Sequence, residues 1–84
     1  MPNPVTSTLR FSFRARAGDA VQVNVFDLRG RLVRTLHEGT GTGAWTEAGW
    51  DGRDGGGRLV AEGVYLLTAQ SREGPRSRRL TLVR

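Results

Sequence analysis

The residues whose types and spacing could do chemistry are concentrated in "WDGRDGGGR", Trp50 to Arg58, where two aspartates, two arginines and four glycines follow a tryptophan. That mixture suits a calcium loop, a phosphate cradle or a tight turn. On a calcium-loop template Asp51, Gly56 and Glu62 take positions 1, 6 and 12, but positions 3 and 5 hold Arg53 and Gly55 where oxygen ligands belong. A guanidinium at that place repels a cation, so calcium at Asp51 and Asp54 is a minor alternative and no metal is expected. A phosphate cradle would need a helix N-terminus behind the glycines, and none follows. A catalytic carboxylate pair would need a cleft that the sequence does not show. The turn requires less. Asp51 accepts backbone N–H groups, Arg53 or Arg58 pairs with Asp54, and Gly55 to Gly57 adopt φ values that other residues resist.

The rest of the composition removes most catalytic options. All 13 basic residues are arginine, with a single histidine, His37, and no cysteine. A P-loop lysine, a Schiff-base lysine, a Ser-Lys dyad, a thiolate nucleophile and a disulfide staple are therefore excluded. Gly39, Gly41 and Gly43 offer a G-x-G fragment, but the third glycine comes too early and no helix follows, so a dinucleotide site is not supported. The chain reads as a non-enzyme with no cofactor.

The elements that must position the loop are strands. "TLRFSFR" sets Leu9, Phe11 and Phe13 against Arg10, Ser12 and Arg14, and "AVQVNVFD" sets Val21, Val23 and Val25 against Gln22 and Asn24. Gly18-Asp19 between them is a pair at which a hairpin can reverse. "RLVRTLHEG" breaks strict alternation at Leu32, Val33 and Leu36. A bulge near Leu32 or Val33 explains this, as does a strand covered on both faces. An amphipathic helix over 28–37 also fits the spacing, but the short length, Gly30 and the surrounding strands favour a strand. "EGTGTG" then reads as a flexible loop into a strand ending at Trp50, with Ala44, Thr46 and Ala48 on the same face as Trp50. Leu59 to Ala61 suggests a short edge piece, Val64 to Ser71 a strong strand, Gly74-Pro75 a turn, and "RSRRLTLVR" a last strand to the C-terminus. Six strands and one short edge piece at spacings of roughly ten residues predict an all-β, antiparallel Ig-like β-sandwich of about seven strands.

The net charge is +5, and much of it lies in Arg72, Arg76, Arg78, Arg79 and Arg84. Leu80 and Leu82 alternate with Arg79, Thr81 and Val83 there, so the arginines read as the solvated face of a half-buried strand, which also guards against edge-to-edge aggregation, and nucleic acid is not the expected partner. No run of about 18 apolar residues could span a membrane. The N-terminus lacks the features of a secretory signal, so the chain is either cytoplasmic or a fragment whose signal lies elsewhere.

Three motifs carry a family resemblance. "WDGRDGGGRLVAEGVY" resembles the W-D-G-x-D-x-x-G-x-x-x-x-x-G-x-Y signature of the Ig-like domain of flagellar hook-capping proteins and of domains at the C-termini of secreted bacterial proteins, through Trp50, Asp51, Gly52, Asp54, Gly57, Gly63 and Tyr65. "VNVFDLRGRLVRTL" is similar to V-x-V-Y-D-x-x-G-R-x-V-x-x-L, and "PNPVTSTLRFSF" to the P-N-P opening followed by an alternating strand. The family's glycine about six residues before the tryptophan is Ala44 here, with Gly43 one place back. A P-N-P start with a basic-apolar end resembles C-terminal sorting domains of the type IX secretion system. That resemblance implies a single domain over 1–84 at the C-terminus of a larger secreted protein, exported through the periplasm and outer membrane to the medium or cell surface. It also implies as partners an N-terminal passenger and the secretion machinery at the outer membrane. The segment read would be the last strand, Arg78, Arg79, Leu80, Thr81, Leu82, Val83 and Arg84, presented by turns at Gly30 and Gly63. An assembly or spacer module, as in hook capping or an extracellular enzyme, is the alternative on the same fold.

Overall fold

The computed structural model describes residues 9–72 and 74–83, so the P-N-P opening and Arg84 lie outside the described residues. The strands are β1 (Leu9–Arg14), β2 (Ala20–Phe26), β3 (Leu32–Thr40), β4 (Trp45–Trp50), β5 (Gly63–Ser71) and β6 (Gly74–Leu82). They form an antiparallel pair, β1-β4, and an antiparallel four-stranded sheet in the order β3-β2-β5-β6. Among the described residues there are thus six strands rather than seven. Leu59, expected in an edge piece, makes only an isolated bridge to Arg53.

The expected β1–β2 hairpin is not made. β1 pairs with β4, and the chain crosses between sheets through a turn closed by Asp19 N–H to the Arg16 carbonyl, with Gly18 at φ 90°. The β3–β4 connection crosses at the same end, and the two crossings bond to each other: Gly18 N–H to Gly41 O, Gly41 N–H to Asp19 O, and Gly43 N–H to Ala15 O, at 2.8–3.0 Å. "GTG" is therefore a seam between crossings, not a loop standing free of the body. The turn expected at Gly74-Pro75 is also displaced, because both residues lie in β6, which pairs with β5 from Ser71–Gly74 onward. Proline is tolerated there because β6 is an edge strand.

The broken alternation of β3 is a double bulge. The register against β2 shifts between Val23 and Asn24 and again between Val25 and Phe26, leaving Leu36 and Val33 as extra residues. Both then reach the core from one face, which strict period-two spacing would forbid.

The core lies between the sheets, with Val23, Val25 and Trp50 fully buried and Tyr65, Leu67 and Leu82 nearly so. Trp50 meets Tyr65 edge-on at 5.1 Å between ring centroids, and burying a ring of this size contributes about 4 kcal/mol. Its indole N–H donates to the Arg53 carbonyl at 2.8 Å, and the Tyr65 hydroxyl donates to the Ala61 carbonyl at 2.6 Å. Thr46 and Ala48 share the half-buried face of β4 with Trp50, whereas Ala44 is exposed. On the opposite face of the large sheet, Thr35, Asn24, Thr68 and Ser77 stand in register across all four strands. Thr35 donates to Asn24 Oδ1 at 2.8 Å, and the Thr68 and Ser77 hydroxyls share a 3.1 Å bond. This ladder satisfies Asn24, the one buried polar residue among those described.

Candidate functional site

The connection between β4 and β5 is a small hairpin. Val60 N–H bonds to Gly52 O at 3.0 Å, Asp54 N–H to Arg58 O at 2.9 Å, and a three-residue tip, Gly55 to Gly57, closes it with Gly57 N–H to Asp54 O at 3.0 Å. Asp54 Oδ1 accepts the amides of Gly56 and Arg58 at 2.9 and 3.0 Å, so its partners are backbone groups and not the arginine side chains expected. Among the three tip glycines only Gly57, at φ 86°, takes a left-handed conformation, and Gly55 and Gly56 do not require one.

The same turn occurs a second time. Between β2 and β3, Asp27 N–H bonds to Arg31 O and Gly30 N–H to Asp27 O, both at 3.0 Å, while Asp27 Oδ1 accepts Arg29 and Arg31 amides at 2.9 Å each. Gly30 has φ 85°. "DLRGR" and "DGGGR" are thus one D-x-x-G-R device used twice: a three-residue loop with an αL glycine at its end and a carboxylate bonding two of its amides. The backbone N–H of Arg31 holds the Asp27 carboxyl below its ordinary value; desolvation opposes it, and the Arg31 guanidinium and the Arg29 amide add to the lowering.

The hairpin docks on the outer edge of β3. Gly55 N–H donates to Val33 O at 3.0 Å, and the Arg34 guanidinium donates to Asp51 Oδ1 at 2.8 Å. Asp51 also accepts the Arg53 amide at 3.1 Å, the turn expected for it, and lies 3.8 Å from Arg53 Nε. Both carboxylates are therefore already held by amides and guanidinium groups. Among the described residues, no group of three or more His, Asp or Glu side chains is arranged to hold a metal ion.

The other signature residues serve this arrangement. Trp50 and Tyr65 anchor the hairpin to the core, Gly52 is buried at φ 78°, and Gly63 opens β5 at φ 149° instead of sitting in a turn. The proposed recognition strand lies apart, on the far edge of the large sheet. There Leu82 is buried and Leu80 half-buried, while Arg78, Arg79, Thr81 and Val83 are exposed. The strand ends at Leu82, and Val83 follows it. No helix among the described residues is long and apolar enough to cross a membrane. The sequence reading missed two features here. The repeated D-x-x-G-R was visible in the spacing, but the use of Arg34 as a clamp on Asp51 left no local signal.

A two-sheet antiparallel sandwich whose β4–β5 connection closes one sheet edge defines an Ig-like β-sandwich module. The FlgD Ig-like domain model matches residues 3–74, and the chain belongs to that family. Its fold is similar to the crystal structure of FlgD from P. aeruginosa, with a TM-score of 0.69 and 25% identity, covering 93% of this chain and 62% of that one. No curated protein matches. The comparisons thus meet the hook-capping side of the resemblance and do not show a sorting domain.

Proposed function

We propose that the chain is a non-enzymatic structural module of a longer protein, of the kind used in flagellar hook assembly, where it packs against neighbouring domains or subunits. The observation that carries this reading is the family match over residues 3–74, which takes in both D-x-x-G-R turns and the docked hairpin. In-frame removal of the module from its native gene tests it. Loss of hooks by electron microscopy, with the truncated protein still present, is the expected result; normal hooks and swimming would overturn it.

A sorting role at the outer membrane remains a second reading on one observation. The basic-apolar β6 begins at Gly74, where the family match ends, and it forms an exposed sheet edge. In that reading the secretion machinery reads Arg78 to Arg84 and an upstream passenger is carried to the cell surface. Replacing Arg78 and Arg79 by glutamate in a passenger fusion should then trap it in the periplasm of a type IX-competent host, and unchanged export would remove the reading.

A further inference from the structure

Among the described residues the sandwich is open along one flank. The two-stranded sheet leaves a cleft of about 820 Å³ with Phe11 and Phe13 of β1 on one side, Arg76 and Arg78 of β6 on the other, and Val23 and Leu67 at its floor. Along β6, alternation puts Leu82, Leu80, Arg78 and Arg76 on one face, and burial falls along that series from buried Leu82 to exposed Arg76. Arg76 and Arg78 therefore occupy the inward face of the sheet at a place where no strand among the described residues covers it.

The edge beside the cleft is complete enough to accept a strand. β5 and β6 are joined through two residues, and a two-residue connection makes Ser71–Gly74 a hydrogen-bonded pair. Counting from it, the backbone groups of Ser77, Arg79 and Thr81 point away from β5. Pro75 falls on that same outward set, so its missing N–H costs the β5–β6 ladder nothing.

Charge selects the occupant. A second copy pairing through β6 would set arginines opposite arginines, which is unfavourable. A strand bearing carboxylates at alternate positions meets Arg76 and Arg78 with paired, charge-assisted hydrogen bonds. Trp45, also lining the cleft, is 70% exposed, and a rigid aromatic of this kind is a typical anchor at protein interfaces. We propose that this flank docks an extended acidic segment of a partner protein, which adds as a strand to the free edge of β6 with its carboxylates on Arg76 and Arg78. The inference stands independently of the hook and sorting readings.

The test uses the full chain and two blocked twelve-residue peptides, one alternating glutamate with valine and one alternating lysine with valine. Trp50 is buried and Trp45 exposed, so a blue shift on titration reports cover over Trp45. The glutamate peptide should bind and weaken with salt, and the lysine peptide should not bind. Arg76→Glu with Arg78→Glu should weaken binding at least about tenfold, a loss of about 1.4 kcal/mol. Arg79→Pro, which removes one outward N–H and spares the β5 ladder, should weaken binding well beyond Arg79→Ala, with circular dichroism confirming that both variants fold. Absence of binding at low salt, equal binding of the two peptides, or equal binding by the Pro and Ala variants would overturn the proposal. So would concentration-dependent dimerisation in sedimentation, which would make a second copy the occupant, or tighter binding of a DNA oligonucleotide than of the glutamate peptide.

Discussion

Gly41→Ala is expected to damage this fold more than its position between two loops suggests. A Cβ at residue 41 would stand 2.5 Å from the Arg16 carbonyl oxygen, 2.7 Å from Ala15 Cβ and 2.8 Å from the Ala15 carbonyl oxygen. Comfortable contact begins near ~3.5 Å, so each neighbour must give way by roughly 1 Å. None is the free end of a flexible side chain. Two are backbone oxygens, and Ala15 is buried at 3% exposure. Relief means parting the two crossings, which strains the Gly18–Gly41, Gly41–Asp19 and Gly43–Ala15 bonds. Overpacking alone costs about 1–3 kcal/mol, and weakening these three hydrogen bonds without breaking them adds about 2 kcal/mol together, giving about 3–5 kcal/mol in total. A chain of this length has about 4–13 kcal/mol of stability. At ~4–8 °C per kcal/mol, the lower figure alone predicts a fall in Tm of about 12–24 °C. Gly39→Ala, two residues away, is the control. Its Cβ would meet only His37 Nε2 at 3.7 Å, with no left-handed φ, so it should be neutral or slightly stabilising. Thermal unfolding followed by circular dichroism reads both variants. A Gly41→Ala Tm within about 4 °C of the parent, or an equal fall for Gly39→Ala, would refute the seam argument.

The tip glycines make a second contrast. Gly55→Ala meets open space at an ordinary φ and should be neutral or stabilising by up to about 1 kcal/mol, whereas Gly57→Ala, at φ 86°, should cost about 1–2 kcal/mol by urea denaturation. Trp50→Phe leaves the Arg53 carbonyl without its donor and a gap beside Tyr65, so a loss of about 2–3 kcal/mol is expected from the urea midpoint. For Asp27 the folded carboxyl is depressed, so its contribution is present above the ordinary carboxylate range and is lost as pH falls through the folded value. Asp27→Asn should therefore be less stable than the parent at pH 7, and the gap should narrow as pH falls below about 4. A gap that stays constant from pH 7 to pH 2.5 would show that the charge of Asp27 contributes nothing.

How much of this was legible depended on whether the information is local. Alternation located β1, β2, β4 and β5 almost to the residue, because period-two burial is written directly into "RFSFR" and "VQVNV". It could not say which strand pairs with which. Gly18-Asp19 looked like a hairpin turn, but the same dipeptide serves a crossing between sheets. The double bulge of β3 blurred its pattern for a physical reason, since each extra residue reverses the side-chain parity beyond it. Pro75 misled in another way. A proline marks a break only where its missing N–H is needed, and which side of the strand Pro75 faces is set by the length of the β5–β6 connection. At the hairpin, Asp51 was readable as a turn residue, but Asp54 was assigned an arginine partner when it holds two amides. Arg76 and Arg78 had readable parity. What could not be read was that both line a cleft shared with Phe11 and Phe13 of β1.

The docked hairpin has a consequence for how the module can associate. Gly55 covers Val33 O on the outer side of β3, and the Arg34–Asp51 pair fastens the hairpin there. The end of the four-stranded sheet beside Val33 and Arg34 is thereby closed. A strand can join the sheet at β6, whereas beside Val33 and Arg34 the hairpin takes the place that a further strand would need, so growth past β3 is blocked at that end. A variant that frees the hairpin, such as Asp51→Ala, would open that stretch of β3 to a further strand.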